Sequence, residues 1–409
     1  MPALSQRALE IPASPIRKLV PYSEAAKAAG KHVYHLNIGQ PDVETPQVFF
    51  DAIQDAHLKV VAYSHSAGHV SLRQSIADYY GNLGHPLNTD QVIVTTGASE
   101  ALSFVFATIM NPGDEVIIPE PFYANYNSFS IFSNVKVVPI QTQIENDFAL
   151  PPIEEFEKLI TPRTRAILIC NPGNPTGVLY PQESLQKLQE IVKKHDLYLV
   201  SDEVYREFAY DGKQHKSVLG LEGMEDHVIV TDSISKRFSS CGARIGCVVS
   251  KNADVMGGVM KLAQARLSPP TLGQIGAEAL YQLPASYYQD VVEIYRKRRD
   301  VLVESIAKIP GAVCPDVDGA FYAMVQLPVD SSERFCQWML EEFDHEGATV
   351  MMAPGSGFYA TPGLGTDQVR IAYVLNEEDL RKAMECLAAG LAAYPGRVIS
   401  GEALASDNA

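Results

Sequence analysis

Short apolar runs alternate with longer amphipathic stretches over the middle of the 409-residue chain. A helix is predicted at 184–195, because apolar residues recur at helical spacing from Leu185 to Val192. Seven runs rich in apolar and β-branched residues predict strands at 92–96, 115–119, 136–140, 165–170, 197–201, 227–232 and 243–250. Strands that alternate with helices predict an α/β fold, with a mostly parallel seven-stranded sheet covered on both faces.

The pattern changes near residue 285. A long helical stretch precedes two strand candidates that are flanked by helices, and Asn376 is placed to cap the last of these helices. These later elements are predicted at 287–306, 320–327, 333–343, 369–375 and 377–393, after a short helix at 22–29 in a proline-containing N-terminal arm. We therefore expect an arm at 1–45 that forms part of a small domain, a large domain at 46–285, and a small α+β domain at 286–409.

Charge narrows the range of partners. The chain has 33 Lys and Arg against 49 Asp and Glu, which gives a formal net charge of −16. A field of this sign repels nucleic acid and anionic lipid, so neither is an expected partner. An anionic substrate would need a local basic pocket that acts against the global field.

The remaining composition indicates a cytoplasmic protein. The six cysteines form no Cys-x-x-Cys pair, the first twenty residues lack the apolar core of a signal peptide, and no apolar window is long enough to cross a bilayer. We read the cysteines as reduced thiols. The polar tail at 400–409 is expected to be disordered.

The segment TDSISKRFSSCGARIG holds the clearest candidate chemistry. Lys236 follows a buried strand, with Ser233 three residues before it and Arg244 eight residues after it. Ligands bind at the carboxyl ends of parallel strands, where an amine can form a Schiff base and a guanidinium can hold phosphate. Alternatively, Lys236 and Arg237 are exposed loop charges and Arg244 lies at a strand edge.

A second candidate segment, VTTGASEAL, suggests an anion site. A predicted strand ends at Gly97 and a helix begins near Ser99, so the free N–H groups of Ala98 and Ser99 point at one position. An ordinary capped helix would give the same pattern.

Two further strand ends carry polar groups. Asn174 lies in CNPGNPTG, which a simple turn would also explain. Asp202 lies in SDEVYREF at the end of the apolar strand LYLV, where it could also cap a helix. A carboxylate at the end of a buried strand requires a donor or a cation. Together the four segments bring an amine, a carboxylate, a phosphate cradle and an amide to one edge of the predicted sheet.

The chain resembles the class I and II aminotransferases of the fold-type I pyridoxal-5′-phosphate (PLP) superfamily, and in particular aspartate aminotransferase. The resemblance extends from NIGQPD near residue 37 to VRIAYVL near residue 372, in the family's order. It implies that Lys236 forms the Schiff base with PLP and that Asp202 pairs with the pyridine nitrogen. It also implies that Tyr205 and Asn174 bind the 3′-oxygen of PLP.

Further roles follow from the same resemblance. Tyr123 in PEPFYANY would stack on the ring, although a loop aromatic in the core would look alike, and Tyr63 would reach the phosphate of a neighbouring subunit. The phosphate would be held by Gly97, Ala98, Ser99, Ser233 and Arg244. Gly39 would lie beside the substrate carboxylate, and Arg370 would bind it bidentately together with Asn174, unless Arg370 is only a charge at a strand edge. Ala98 and Arg237 depart from the family's pattern, because relatives carry smaller residues there.

The resemblance implies a ping-pong transfer of an amino group between an L-amino acid and a 2-oxo acid, in a homodimer without a metal site. Aspartate and glutamate are the leading donors, because Arg266 follows Lys236 by about the distance at which dicarboxylate-specific relatives place a second arginine. A surface or interdomain role for Arg266 fits equally well. Alanine or aromatic aminotransferases, PLP lyases and PLP-sensing regulator domains share the scaffold, and the last of these normally carry an added DNA-binding domain.

Overall fold

The computed structural model describes residues 2–398, so the predicted disorder of 400–409 concerns residues outside the described part. Its strands are β1 (His32–His35), β2 (Val92–Thr95), β3 (Glu115–Glu120), β4 (Lys136–Gln141), β5 (Thr164–Cys170), β6 (Tyr198–Asp202), β7 (Val228–Ser233), β8 (Gly246–Val249), β9 (Tyr322–Gln326), β10 (Ala348–Met351), β11 (Ala353–Pro354) and β12 (Gln368–Ala372).

The helices surround these strands. They are α1 (Gln6–Glu10), α2 (Val20–Ala28), α3 (Gln47–Asp55), α4 (Val70–Asn82), α5 (Gly97–Ile109), α6 (Asn125–Phe132), α7 (Ile153–Leu159), α8 (Gln182–His195), α9 (Ile234–Arg237), α10 (Ala253–Arg266), α11 (Thr271–Leu280), α12 (Ala285–Ile306), α13 (Ser332–Glu341) and α14 (Glu377–Ala393). Between residues 2 and 398, none of these helices has the length and apolar character needed to span a membrane.

The seven predicted strands form one sheet, which confirms the α/β fold. The strand order is β2-β8-β7-β6-β5-β3-β4, and β8 alone runs antiparallel to its neighbours among these seven. Apolar side chains of α4, α8 and α11 cover one face, and those of α5, α6 and α10 cover the other. Burial on both faces explains why these strands read as nearly continuous apolar runs in the sequence.

A second, smaller group of strands lies outside this sheet. Strand β1 of the N-terminal arm pairs in parallel with β10, and β12 lies between β11 and β9 in an antiparallel sheet. The side chain of Asn376 accepts a hydrogen bond of 2.9 Å from the Asp379 amide at the start of α14, which confirms the predicted cap. We propose the division at 45 and 285 on this ground, since the large sheet falls entirely between these positions.

One edge of the large sheet concentrates the candidate residues. The carboxyl ends of β2, β5, β6 and β7 meet there because these strands are parallel. Strand β8 is antiparallel, so its amino end, which follows Arg244, lies at the same edge. The fold therefore brings the four candidate segments together.

Candidate active site

A cavity of about 660 Å³ opens at this edge of the sheet, within the usual size range of small-molecule sites. It lies between the large sheet, the N-terminal arm and strand β12. The predicted site residues that line it are Gly39, Ala98, Ser99, Tyr123, Asn174, Asp202, Tyr205, Ser233, Lys236, Arg244 and Arg370. Residues that are far apart in the sequence thus converge on one volume.

Lys236 extends into the cavity from the short helix α9, which begins directly after β7. The side chain of Ser233 caps this helix by accepting a hydrogen bond of 3.0 Å from the Ser235 amide. The Lys236 ammonium donates to the Gly39 carbonyl at 2.8 Å, and its Nζ lies 5.9 Å from the centre of the Tyr205 ring. The amine is therefore held among aromatic groups and has no carboxylate partner among the described residues.

Arg237 anchors the helix that carries the lysine. Its guanidinium is fully buried and donates to both carboxylate oxygens of Asp232, which also accepts a hydrogen bond of 3.1 Å from the Tyr80 hydroxyl. The guanidinium lies 4.6 Å from the centre of the Tyr79 ring. The alternative of an exposed loop charge is therefore wrong for Arg237. Where relatives carry a smaller residue, this chain has an arginine that forms a buried ion pair.

Asp202 is a buried carboxylate without a cation. It is 4% exposed and accepts hydrogen bonds from the Tyr126 hydroxyl at 2.8 Å and the Val204 amide at 3.4 Å. Within residues 2–398, no Lys or Arg lies within ion-pair distance of it. Burial raises the pKa of Asp202 from 3.8 to about 6. A protonated ring nitrogen in the cavity would supply the donor and the positive charge that this carboxylate lacks.

The start of α5 and Arg244 form a compact anion cradle. Gly97 has a φ of +74°, which favours glycine, and its lack of a side chain lets Nη2 of Arg244 approach to 2.4 Å from where a Cβ would lie. Gly246 packs as closely against the backbone of Gly97 and Ala98. Gly97 itself lies behind the cavity wall, whereas Ala98 and Ser99 line the cavity. The helix N-terminus and the guanidinium suit a phosphate group.

Arg370 forms the opposite wall of the cavity. It lies on the central strand β12 and is 1% exposed, so the alternative of a charge at a strand edge is wrong. Its Nη1 donates to Asn174 Oδ1 at 3.2 Å and its Nη2 donates to the Asn37 carbonyl at 2.5 Å, whereas Nε has no partner among the described residues. Burial lowers the pKa of Arg370. The guanidinium suits a carboxylate ligand that would supply the missing negative charge.

Two tyrosine hydroxyls connect these groups. Tyr205 Oη lies 2.9 Å from Tyr322 Oη, and Asn174 Nδ2 donates to Tyr205 Oη at 3.4 Å. A Cβ on Gly39 would lie 1.7 Å from the Tyr322 hydroxyl, so this position requires glycine. Tyr123 lines the cavity, where burial raises its pKa to about 12.

Besides Gly97, two residues with predicted roles lie outside the cavity. Tyr63 is 79% exposed. Arg266 donates to Glu100 Oε2 at 2.9 Å and to the carbonyls of Ser66 and Val94 at 3.0 and 3.3 Å. Since these groups occupy its guanidinium, Arg266 links α10 to α5 within the chain, and the hypothesis that it binds a substrate side chain is not supported.

Several residues at the site were not predicted. Tyr322 lies under the Arg370 guanidinium at 4.6 Å and contacts Tyr205, and Tyr126 donates to Asp202. Arg17, from the arm, also lines the cavity. The sequence offered little signal for them, because tyrosines are common in apolar strands and helices and Arg17 lies in an irregular segment. Ser235 was the exception, since it immediately precedes the candidate lysine.

Comparison with known proteins also connects this chain with the aminotransferases. A family model described as "Aminotransferase class I and II" matches residues 31–387. Aspartate aminotransferase of Bacillus subtilis is 32% identical, over 93% of this chain and 97% of its own length, and arginine–pyruvate transaminase of Pseudomonas aeruginosa is 34% identical, over 88% and 90%. The solved structure of Pyrococcus furiosus alanine aminotransferase is similar with a TM-score of 0.87 and 30% identity, over 95% and 99% of the two chains.

Proposed function

The chain belongs to the class I and II aminotransferases and is a PLP-dependent enzyme, and from this premise we propose that it transfers amino groups between aspartate or glutamate and 2-oxo acids. One observation carries the proposal: Lys236, Asp202 and Arg370, from three distant segments, line the same cavity. An amine, an acid without a cation and a buried arginine without an acid are the groups that such a transfer requires.

The described residues fit PLP. Ser99, Ser233 and Arg244 would hold its phosphate at the start of α5, together with the Ala98 amide, and Asp202 would pair with its ring nitrogen. Tyr205 and Asn174 are placed to bind a ring oxygen, since their polar groups already approach one another. When bound, PLP supplies an aldehyde that reacts with amines and a ring that withdraws electrons.

The protein's own groups would then control the proton and the substrate. Lys236 Nζ would take the proton from the substrate α-carbon and return it to the cofactor side of the reacting bond, as general base and then general acid. Arg370 would grip the α-carboxylate and thereby fix which α-carbon bond faces the lysine. Burial of Asp202 keeps its charge unscreened, so it would hold the ring nitrogen protonated.

The donor preference rests on charge. The cavity is lined by three arginines, and its only lining carboxylate among the described residues is Asp202. This local excess of positive charge, in a chain of net charge −16, favours substrates with two carboxylates. The Bacillus relative is named for aspartate, which agrees. Alanine, aromatic or arginine donors are the alternatives, because relatives are named for alanine and for arginine–pyruvate transfer.

We also propose that the enzyme is a homodimer. Residues 50–70 and 267–272, two segments linked by a hydrogen bond of 2.9 Å from the Thr271 hydroxyl to the Ala62 carbonyl, expose large apolar side chains besides Tyr63, namely Phe50, Leu58, Val60, Val61, Val70, Leu267 and Leu272. Patches of this kind mark protein interfaces, and a second copy would cover this one. In such a dimer Tyr63 would be free to reach the phosphate of the neighbouring site. The cytoplasmic location stays a prediction.

A donor panel tests the function. Purified holoenzyme is mixed with aspartate, glutamate, alanine, phenylalanine or arginine plus a 2-oxo acid acceptor, and both the cofactor absorbance and the new amino acid are followed. We expect aspartate and glutamate to have the highest kcat/KM. Release of pyruvate and ammonia from one substrate without an acceptor would instead identify a lyase.

A further inference from the structure

Three arginines line the cavity, and the two roles assigned so far account for only two of them. Arg17, Arg244 and Arg370 have no carboxylate within 4 Å among residues 2–398. In contrast, Arg237, Arg266 and Arg298, which have little exposed surface, each pair with a carboxylate. Phosphate suits Arg244 and an α-carboxylate suits Arg370, which leaves a third cation unmatched at the same cavity.

The backbone at Arg17 is fixed, although its side chain is exposed. Pro15 packs so closely against Gly357 that a Cβ on that glycine would lie 2.3 Å from the Cβ of Pro15. The Ile16 carbonyl accepts a hydrogen bond of 2.9 Å from Asn37 Nδ2, and the Arg17 amide donates to the Ser14 carbonyl at 3.1 Å. The arm therefore holds the Arg17 side chain at the mouth of the cavity.

The same support carries the arginine that suits the α-carboxylate. Asn37 binds the arm through its side chain and accepts from Arg370 Nη2 through its carbonyl at 2.5 Å. Arg17 and Arg370 are thus positioned relative to one another through a single residue. The guanidinium of Arg17 is also close enough to Tyr123 to lower the pKa of that phenol, against the larger raising effect of burial.

The neighbouring cation shows what a structural residue on this arm looks like. Lys18 points away from the cavity and pairs with Glu333 at 2.5 Å, and the carboxylate of Glu333 also accepts from Ser356. Arg17 forms no side-chain hydrogen bond or ion pair with any described residue. Lys18 therefore anchors the arm through Glu333, whereas Arg17 does not take part in anchoring it.

We propose that Arg17 binds the distal carboxylate of a dicarboxylic amino acid or 2-oxo acid whose α-carboxylate is held by Arg370. This assignment rests on the proposed aminotransferase function. It places the residue that selects dicarboxylic substrates on the N-terminal arm, whereas the sequence suggested Arg266 for that role. A guanidinium on a fixed backbone at the mouth can contact a carboxylate that extends outward from the reacting carbon. Monocarboxylic donors such as alanine lack the group that would make this contact.

Arg17→Met tests the assignment in the holoenzyme, with Lys18→Met as the matched control on the same arm. The readout is the ratio of kcat/KM for aspartate to kcat/KM for alanine. Loss of a charge-assisted contact should lower this ratio about 10- to 100-fold in Arg17→Met. Lys18→Met should keep the ratio of the unmodified enzyme, and Arg17→Lys should lie between the two.

A binding measurement gives an independent readout. Calorimetric titration with maleate, a dicarboxylate that cannot react, should show a Kd about tenfold higher or more in Arg17→Met and little change in Lys18→Met. An unchanged selectivity ratio in Arg17→Met, or an equal fall in both variants, would overturn the assignment. Absence of transfer from any donor by the unmodified enzyme would instead remove the proposed function, which is a different result.

Discussion

Replacing Asp202 by asparagine should stabilise the cofactor-free protein at pH 8 and weaken its hold on PLP. Asp202 is buried without a cation, and burial raises its pKa from 3.8 to about 6. Ionisation is therefore less favourable in the folded protein than in the unfolded chain. Stability from this group is fully present below the unfolded pKa and is lost as pH rises through about 6.

The size of the effect follows from that pKa difference. Holding Asp202 ionised at pH 8 costs the folded protein about 3 kcal/mol, and at pH 5 the cost falls to about half of this. Asparagine removes the cost and keeps an oxygen that can accept from the Tyr126 hydroxyl. We expect Asp202→Asn to raise the free energy of unfolding by about 1–3 kcal/mol at pH 8 and by less at pH 5.

Asp232→Asn is the matched control. Both aspartates lie at the ends of neighbouring strands and accept from a buried tyrosine hydroxyl, but Asp232 has the Arg237 guanidinium as its partner. Removing that acid leaves the buried Arg237 guanidinium with only the Glu207 carboxylate, 3.8 Å from its Nη1, so Asp232→Asn should destabilise the protein by about 3 kcal/mol. The two substitutions should therefore change the free energy of unfolding in opposite directions.

Urea unfolding of the cofactor-free protein at pH 8 and pH 5 measures both effects. Saturating PLP should then stabilise the unmodified protein more than Asp202→Asn, because a bound cation would satisfy the carboxylate. If Asp202→Asn lowered the free energy of unfolding at pH 8 as Asp232→Asn does, the idea that Asp202 lacks a partner until the cofactor binds would be refuted.

Other predictions test the remaining roles. Lys236→Ala should lose nearly all transamination, and borohydride reduction of the unmodified protein followed by peptide mapping should find PLP attached at position 236; normal turnover of the variant, or a label at another lysine, would contradict the assignment. Arg370→Met should lower kcat/KM about 10- to 100-fold for every amino donor, whether or not the donor has a second carboxylate, and an effect limited to aspartate and glutamate would contradict its role. Tyr63→Phe should speed the loss of PLP during dialysis, and retention equal to that of the unmodified enzyme would argue against contact with a neighbouring phosphate.

The large sheet was predictable because its strands are buried on both faces. Each strand then reads as a short apolar run, and all seven runs were found within a few residues of the observed bounds. The candidate lysine, acid and amide were predictable for a related reason. A polar residue that ends such a run, as Asp202 does, must lie at the edge of the sheet where it can find a partner.

The arm was less predictable, because its contacts are long-range and its pattern is irregular. Nothing in the sequence around Arg17 indicates that Asn37, twenty residues later, fixes its backbone, or that Lys18 faces away toward Glu333. Nor does the sequence indicate the partner of Arg266, since Glu100 lies 166 residues before it. Spacing from Lys236 therefore suggested a role for Arg266 that its ion pair does not support.

Asp202 and Asp232 have different partners because their side chains lie on different faces of the sheet. Asp232 is closer to Lys236 in the sequence, but successive side chains of a strand point to opposite faces of the sheet. On β7, Asp232 shares the face of Val228 and Val230, where Arg237 meets it, whereas Ser233 shares the other face and lines the cavity. Asp202 shares the face of Val200, which packs with Tyr126 on the cavity side. Because both strands are apolar almost throughout, their sequence pattern does not reveal which face of the sheet holds the cavity. The alternation of side chains along each strand identifies the acid that faces the cavity only once that face is known.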